Sequence, residues 1–251
     1  MIKKSLLTVI LFMLTLTVCK SNELFLYSYH GTPEFTEVVN NELINLEIKP
    51  GKTFNVKNGL SIDTATNSIY TIYEFPQKVA VAQMQNTQTY FNEFDIEYKN
   101  SFELPEVISV KESFLTFSFT GEIYIKSQSD QSLTISTPLA NIVLNDATIF
   151  IKSEKRQTHV YVINGKVNVL DTKSSKKKKE LNKNDYLVVT PKPINNGKGM
   201  QNTTPGNLFS MRDVEDEDMS SYLEFDKILT DCINNTLFIN YNTNIFGVKI
   251  K

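Results

Sequence analysis

The chain has little of what most active sites are built from. Among 251 residues there are 9 glycines and 2 histidines, and tryptophan is absent. Glycine-rich loops that hold phosphates and clusters of histidines that bind metals or transfer protons are therefore not expected, and no cofactor is indicated. The net charge of −2 and the pI of about 5.8 provide no overall field that would attract nucleic acid. No P-loop, Ser/His/Asp arrangement or paired metal motif can be read, so the composition and motifs do not predict an enzyme.

The N-terminus has the pattern of an export signal. Met1–Lys4 is positively charged, and Ser5–Val18 is an unbroken run of apolar and hydroxyl residues. A run of about 14 residues is too short to cross a bilayer, which takes ~20 helical residues, but it suits the apolar part of a secretory signal. A buried core helix is disfavoured by the position at residue 1, the lysine pair and the polar shift at Lys20–Asn22. We predict that residues 1–21 direct export from Met1, leaving no cytoplasmic segment.

Cysteine is scarce as well, and its two positions have different meanings. Leu16–Cys19 resembles a bacterial lipoprotein signal, in which a leucine three residues before the cysteine marks a thiol that becomes diacylated. Two acyl chains at Cys19 would anchor the protein stably to a membrane. Cleavage after Ser21, which would release a soluble protein, is the competing interpretation. In either case Cys19 cannot pair with Cys232 in the mature chain, and Cys232 is a lone thiol.

The middle of the chain alternates like a β protein. Strand-like runs follow one another without a helical pattern between them: Leu43–Ile48, Phe54–Val56, Ile69–Phe75, Phe94–Tyr98, Val107–Val110, Leu115–Phe119, Glu122–Lys126, Leu133–Ser136, Asn141–Leu144 and Thr148–Lys152. Gln77–Gln88 fits either a strand or a helix, and the alternation of Ala80, Ala82 and Met84 favours a strand. We predict an all-β fold, either a β-sandwich or roll or a short β-solenoid.

Two glycines suggest turns within this β region. In Thr158–Asp171, alternating runs meet at Asn164 and Gly165, the pair that best tolerates positive φ at both centres of a type I′ turn. A two-residue hairpin loop there would put four valines on one face, pairing Val162 with Val167 and Val160 with Val169. We therefore predict that Asn164 and Gly165 form a structural turn. At Thr120-Gly121 a two-residue loop would match the faces poorly, so we expect a bulge or a longer turn.

The C-terminal part changes character. Lys192–Gly206 is polar and rich in Asn, Gly and Pro, and we assign residues 194–212 to a linker. From Asp213 to Ile233 the apolar residues have a helical period. One stripe contains Tyr222, Phe225, Leu229, Cys232 and Ile233, with Ile228 beside it. We expect this stripe to pack on the β domain, and we expect two strands around Asn242–Asn244 to complete a C-terminal extension over residues 213–251.

Five sequence blocks occur in the order in which one bacterial family has them. They are Asn58–Thr64 with Asn67-Ser68, then Ser136–Ala140, Asn145–Ile151, Val162–Val169 and Leu181–Asp185. On these blocks, Asn58–Pro193 resembles the FecR-like domain, the extracytoplasmic β module of iron-dicitrate-type sensor regulators. Ala140, Ala147 and Asn184 stand where the family often has glycine, and of these Asn184 is the one that tolerates left-handed backbone at low cost.

The resemblance implies an all-β domain over residues 43–193, after an N-terminal segment at 22–42. In the regulator form, a cytoplasmic helical segment before a transmembrane helix holds a sigma factor. Because the export signal begins at Met1, sigma-factor control is not carried over.

Combined with the export signal, the resemblance predicts a non-catalytic binding or scaffold module of the cell envelope, in the periplasm or at the outer membrane. It would be anchored through Cys19 and would recognise an envelope protein or a glycan through strand edges and loops. The alternative is an extracytoplasmic sensor that relays a signal through its C-terminal helix to a membrane regulator or transporter. An exported hydrolase is a third hypothesis, which would need carboxylates beside His159.

The remaining charged and titratable features have simple interpretations. His30 and His159 lack a neighbouring cluster and are expected on the surface. Lys176–Lys179, joined by Lys173, is expected to be a solvated loop that discourages edge pairing, with contact to anionic head groups or phosphorylated glycans as the alternative. The acidic cluster Glu215–Asp218 is expected to complement the helix dipole rather than to bind calcium.

Overall fold

The computed structural model describes residues 23–39, 42–55, 60–75, 78–91, 97–99, 106–109, 114–192, 206–214 and 216–234. The predicted export signal with Cys19 and the predicted tail strands lie outside these ranges. The described residues form sixteen strands and one helix. They are β1 (Glu23–His30), β2 (Glu34–Val39), β3 (Glu42–Leu46), β4 (Lys52–Asn55), β5 (Leu60–Thr64), β6 (Tyr70–Phe75), β7 (Val79–Met84), β8 (Thr87–Phe91), β9 (Glu97–Lys99), β10 (Glu106–Ser109), β11 (Phe114–Ser136), β12 (Ala140–Glu154), β13 (Gln157–Asp171), β14 (Ser174–Asn182), β15 (Tyr186–Pro191), β16 (Asn207–Arg212) and α1 (Asp216–Ile233).

All strands except β9 and β10, which pair with each other, belong to one sheet of 14 strands. Its main path runs β16-β15-β13-β12-β11-β7-β6-β1-β4, and β14, β8, β5, β2 and β3 branch from it. Every strand pair of the described residues is antiparallel. The predicted all-β class with a C-terminal helix is confirmed. The solenoid alternative, in which successive coils stack their strands in parallel, does not fit these residues.

The sheet bends at two places, which we call the first and the second corner. The long strands β11, β12 and β13 run through these bends. In the central segment, residues 121–128 of β11 pair with β12 and residues 123–127 pair with β7. Before the first corner, residues 117–120 pair with β8, which leads to β5, β2 and β3; we call this the first side segment. After the second corner, residues 133–136 of β11 and 140–144 of β12 continue into a second side segment that β13 and β14 complete.

The main core lies on one face of the central segment. Ile62 and Phe91 of the first side segment, Ile125 of the central segment, and Leu144 and Val167 of the second side segment are all buried in one apolar cluster. Because residues from all three segments share this cluster, the two side segments fold over the same face of the central segment. This folded sheet removes most of the described apolar side chains of the β region from water, which is the dominant favourable contribution to its stability.

Asn164 and Gly165 do not form the hairpin turn that the sequence predicts. Strand β13 runs through both residues, and the chain turns earlier, at Lys155–Arg156. The whole stretch Gln157–Asp171 pairs with β12 instead of folding back on itself. A long partner strand satisfies the backbone groups of both halves, whereas an isolated two-stranded hairpin is only marginally stable.

The four valines nevertheless share a face, because a β-bulge reverses the alternation of β13. The register jumps between Asn164, which lies opposite Thr148, and Val162, which lies opposite Ile149, so that Ile163 has no register partner on β12. The main core contains Val160, Val162, Val167 and Val169. The predicted common face is therefore confirmed, but a bulge rather than a turn produces it.

Gly121 lies at the first corner, where β11 changes its partner from β8 to β7. Strand β11 passes through Thr120 and Gly121 without a turn, and Gly121 has a φ of 109°. The irregularity lies on the opposite side, where Gln85 and Asn86 separate β7 from β8. A Cβ on Gly121 would lie 2.3 Å from Thr87 Oγ1, so only glycine fits where these strands approach each other.

Helix α1 covers the other face of the central segment. Tyr124 and Lys126 of β11 face the helix, whereas Ile123 and Ile125 between and beside them face the main core. The predicted apolar stripe is confirmed by the buried residues Tyr222, Phe225, Ile228, Leu229, Cys232 and Ile233. On β7, the small side chains of Ala80 and Ala82 let the helix approach the sheet closely.

Several predicted boundaries differ from the structure. Residues 23–39, assigned to a separate N-terminal segment, form β1 and β2, and β1 lies between β6 and β4 in the main path. Residues 207–212, assigned to the linker, form β16 and pair with β15. The lysine run 176–179, expected in a loop, lies in strand β14. In each case long-range pairing outweighs a weak local strand preference. The strand prediction for Gln77–Gln88 is confirmed by β7 and the start of β8.

Candidate binding groove and helix attachment

A groove opens where the first side segment meets the turn between β11 and β12. Its volume is about 520 Å³, within the range of roughly 300–1,000 Å³ that is typical of small-ligand sites. The groove is lined by Ser61, Gln88, Tyr90, Phe119, Thr120, Ser136, Thr137 and Pro138.

The lining consists of hydroxyl groups, an amide and aromatic rings. Gln88 and Tyr90 project from the same face of β8, two residues apart, with Thr120 opposite Gln88 and Ser61 opposite Tyr90. Tyr90 is 37% exposed, an unusual exposure for a large ring in this sheet. The lining contains no carboxylate, ammonium, guanidinium or imidazole group.

One carboxyl group lies beside the lining. Asp63 is the register partner of Gln88 on β5. Burial, and then the charge of Glu34, raise the pKa of Asp63 above its ordinary value. The edge of the groove therefore holds its negative charge less readily than an exposed aspartate would.

The turn that forms one wall is fixed by Thr137. Its hydroxyl donates to the carbonyl oxygen of Ala140 at 2.8 Å and accepts from the amide of the same residue at 3.0 Å. The hydroxyl of Thr158 lies 3.1 Å away. Thr137 and Pro138 belong to one of the five sequence blocks noted above, and Pro138 restricts the backbone of the turn. The wall is thus rigid and positions Ser136 and Pro138 at the groove.

The opposite wall is held from beneath by a buried amide. Nε2 of Gln83 donates to the carbonyl oxygens of Ile62 and Thr87 at 2.8 and 2.7 Å. Its Oε1 accepts from the hydroxyls of Thr89 and Tyr73 at 2.8 and 3.2 Å. Because both ends of the side chain are satisfied, Gln83 joins β5, β7 and β8 without an unpaired polar group.

On the other face of the sheet, aromatic rings attach the helix. Tyr124 and Phe225 stack with ring centroids 3.9 Å apart, and Tyr161 and Tyr222 stack at 4.5 Å. Phe150 fills the space between these pairs, 5.2 Å from Tyr222. Aromatic rings from three neighbouring strands thus form one apolar surface on which the N-terminal half of α1 packs.

A half-buried ion pair attaches the middle of the helix. Nζ of Lys126 lies 2.7 Å from Oδ1 of Asp226 and 3.2 Å from Oγ1 of Thr148. The hydroxyl of Thr148 donates to the same carboxylate oxygen at 2.7 Å. The Lys126 side chain is 9% exposed and that of Asp226 is 28% exposed, so the ammonium group is buried while the carboxylate keeps part of its contact with water. Its contacts fix where the helix lies along β11 and β12.

A tyrosine attaches the end of the helix. The Tyr27 hydroxyl lies 2.6 Å from the carbonyl oxygen of Cys232 and 2.5 Å from Oε2 of Glu74. Burial raises the pKa of Tyr27 and of Cys232, and it raises the pKa of Glu74 against the opposing effect of the Tyr27 hydrogen bond. Cys232 is a free, buried thiol. The lone thiol expected from the sequence therefore packs beneath the helix and is not presented for reaction.

The histidines are not brought into a catalytic cluster. Nδ1 of His159 lies 2.7 Å from the Tyr186 hydroxyl, and Nε2 lies 3.0 Å from Oε1 of Gln157. Burial lowers the pKa of His159. His30, on β1, has its ring 6.2 Å from the ring of Tyr70. Across the described ranges, no group of His, Cys, Asp and Glu is arranged to hold a metal ion.

The lysine run is partly engaged in the structure. Nζ of Lys177 donates to the carbonyl oxygen of Asn207 and lies 4.6 Å from the ring centroid of Phe209. Lys178 and Lys179 are exposed. The buried carboxylate of Asp171 accepts hydrogen bonds from Asn207 nearby. The run therefore helps to join β14 to β16 and exposes only part of its charge.

No apolar–polar alternation in the sequence marks the groove residues of β8, because two of its buried residues, Thr87 and Thr89, are polar. In Thr87–Phe91 buried and exposed residues alternate, and the exposed ones are Gln88 and Tyr90.

Asn184, a predicted site of left-handed backbone, has a φ of 69°. The described part of the chain has no helix with the length and hydropathy needed to cross a lipid bilayer.

No protein-family model and no curated protein matches this sequence. Two crystal structures, at 2.50 and 1.65 Å resolution, each described as a "putative anti-sigma factor" from Parabacteroides distasonis, are similar to parts of it. The first is 15% identical, with a TM-score of 0.43 over 66% of this chain and 65% of that chain. The second is 16% identical, with a TM-score of 0.42 over 65% and 64%. The match spans less than two thirds of either solved chain. Membership of the FecR-like family therefore stays a prediction.

Proposed function

We propose that this protein is a non-catalytic binding module of the bacterial cell envelope, and that it holds an uncharged glycan in the groove beside Tyr90. The observation that carries the proposal is the lining itself, which combines an exposed aromatic ring with hydroxyl and amide groups and no ionised side chain. Apolar C–H faces of a sugar ring pack against an aromatic face, while sugar hydroxyls exchange hydrogen bonds with Gln, Ser and Thr.

The rigidity of the walls supports this role. A site that is formed before the ligand arrives avoids part of the entropy cost of ordering loops on binding. The Thr137 turn and the Gln83 amide hold the two walls by fully used hydrogen bonds. An uncharged ligand also suits the raised pKa of Asp63 at the groove edge, because a cationic ligand would favour an ionised partner.

Titration of the purified chain with neutral oligosaccharides tests the groove by calorimetry. We expect Tyr90→Ala and Gln88→Ala each to weaken binding by about tenfold, as loss of about 1–1.5 kcal/mol of contact would do. Gln128→Ala, at an exposed glutamine of β11 remote from the groove, is the matched control and should bind as wild type. If no saccharide binds, or if all three variants bind equally, the glycan proposal is wrong. Binding of extended peptides alone would make the groove a peptide site instead.

Hydrogen exchange with and without ligand distinguishes a module that only holds its ligand from a sensor. Sensing is the second candidate, and the polar attachment of α1 through Asp226 and the Cys232 carbonyl favours it, because such contacts can exchange partners. Hydrogen exchange of α1 would be followed with and without saturating ligand. Unchanged protection supports a holding module, whereas a change on ligand binding supports a sensor that signals through the helix.

We further propose that the chain is exported and is anchored through diacylated Cys19. The positively charged start and the apolar run that ends at Val18 motivate this proposal. Intact-mass analysis of the protein from its native membrane is expected to show an N-terminal Cys19 carrying a diacylglyceryl adduct. A mature chain that begins at Asn22 would replace anchoring by release, and retention of Met1 would contradict export.

A further inference from the structure

The C-terminal end of helix α1 is held by two short contacts of the Tyr27 oxygen. The single phenol hydrogen can serve only one of these contacts, so the other needs a hydrogen from Glu74. The Tyr27 oxygen lies 2.5 Å from Oε2 of Glu74 and 2.6 Å from the carbonyl oxygen of Cys232. In strand β1 the register with β6 shifts between Leu26 and Ser28, so Tyr27 occupies a bulge. Bulges redirect side chains, and this one directs the phenol toward the last turn of the helix.

A count of donors favours a protonated Glu74. A phenol hydroxyl has one hydrogen to donate, and the carbonyl oxygen of Cys232 can only accept. An ionised Glu74 could also only accept, which would leave one of the two short oxygen contacts without a hydrogen. If the Glu74 carboxyl is protonated, it donates to the Tyr27 oxygen, and Tyr27 donates to the carbonyl at the helix end. Both contacts are then hydrogen bonds.

We propose that Tyr27, Glu74 and the Cys232 carbonyl form a proton latch, in which a proton bound by the Glu74 carboxyl holds the C-terminal end of α1 on the sheet. Loss of that proton turns the Tyr27 hydroxyl toward the carboxylate and leaves the helix carbonyl without its partner. The last turn of α1 then detaches from β1 and β6. The latch concerns the helix face of the sheet, and it is independent of the groove.

The surroundings favour the neutral carboxyl. Among the described residues, those beside Glu74 are Phe25 and Tyr27 on β1, Ala80 on β7, and Cys232 with neighbouring Asp231 on α1, while Lys126 on β11 lies in the same cross-strand row beyond Ala80. Two strand spacings put Lys126 about 10 Å away, and its ammonium group is already paired with Asp226. The last turn of α1 contains no basic residue. A carboxylate here would add negative charge to the negative end of the helix dipole.

The direction of the pH dependence follows from these surroundings. Burial raises the pKa of Glu74 above its ordinary value of 4.5. A carboxyl whose pKa is higher in the docked state stabilises that state fully below the ordinary value. This contribution disappears as the pH rises toward and through the raised pKa. Docking of α1 is therefore tighter in acid and looser in alkali.

The labelling rate of the buried Cys232 thiol measures undocking. Rates would be measured on the full chain between about pH 5 and pH 9, with peptide mass spectrometry to separate Cys232 from Cys19, and divided by the rates of Glu74→Gln at the same pH. The division cancels the ionisation of the free thiol, and the glutamine amide imitates the protonated carboxyl as a donor. We expect the ratio to rise by up to about tenfold per pH unit above the ordinary carboxyl pKa and then to level off.

Two further variants make the result specific. Glu154→Gln, at an exposed carboxylate of β12, should retain the wild-type pH dependence. Tyr27→Phe should label faster than Glu74→Gln throughout, because the helix carbonyl loses its donor. A ratio that stays flat with pH would overturn the latch. So would hydrogen exchange showing that β12 and β13 lose protection together with α1, because the proton would then stabilise the whole fold.

Discussion

Gly165 and Gly51 have nearly the same φ in different surroundings. Their φ values are 82° and 78°. A Cβ on Gly165 would lie 2.3 Å from the carbonyl oxygen of Asp146, whereas nothing lies within 4 Å of a Cβ on Gly51. Gly165 therefore has two reasons to be glycine, the left-handed backbone and the approach of β12, and Gly51 has only the first.

This difference predicts unequal effects of one substitution. Gly51→Ala should lower the free energy of unfolding by about 1 kcal/mol, which is the order of the cost of left-handed backbone. Gly165→Ala should lower it by about 1–3 kcal/mol more, because the new methyl meets a backbone atom that cannot move without bending β12. Urea unfolding of both variants measures the difference. Equal losses would mean that β12 shifts freely and that the corner is not tightly packed.

At the scale of elements, the three attachments of α1 have different physical roles. The aromatic stacks remove the largest apolar area from water. The ion pair between Lys126 and Asp226 adds little net stability, since withdrawing two charges from water costs about as much as their attraction returns. Its role is to define the position of the helix, because Lys126 would be buried without a counter-charge in any other register.

Most strands could be predicted from the sequence, but their lengths could not. Alternating runs such as Leu115–Phe119, Glu122–Lys126 and Leu133–Ser136 were predicted as separate elements, and they are parts of the single strand β11. A glycine or a phase change in the pattern fits a turn as well as a bulge. Only a partner strand on the other side of the break distinguishes the two, and that partner is distant in sequence. The groove escaped prediction for the same reason, since β5, β8 and the β11–β12 turn come together only in the fold.

At the scale of the whole molecule, the β body cannot be separated from the segments around it. Strand β1 pairs with both β4 and β6, and β16 extends the sheet beyond β15. Helix α1 covers the aromatic face of β11, β12 and β13. The predicted domain 43–193 therefore lacks two interior strands, β1 and β2, and the cover of one face.

A fragment of residues 43–193 is consequently expected not to fold on its own. Without β1, strand β6 loses one hydrogen-bonding partner, and without α1 the rings of Tyr124, Phe150 and Tyr161 meet water. Thermal melting followed by circular dichroism should show no cooperative transition for this fragment, while residues 22–251 melt cooperatively. A cooperative transition in the fragment would contradict this view and restore the predicted boundary.

The sequence by itself determined the all-β class and the buried stripe of α1, because each depends on a local period in one stretch of chain. Tertiary structure decided that Gly165 is a corner and not a turn, that residues 23–39 and 207–212 are strands, and that Tyr27 meets Glu74 and Cys232. These outcomes depend on hydrogen bonds and charges contributed by residues far apart in the chain. No local pattern contains that information until the sheet has paired.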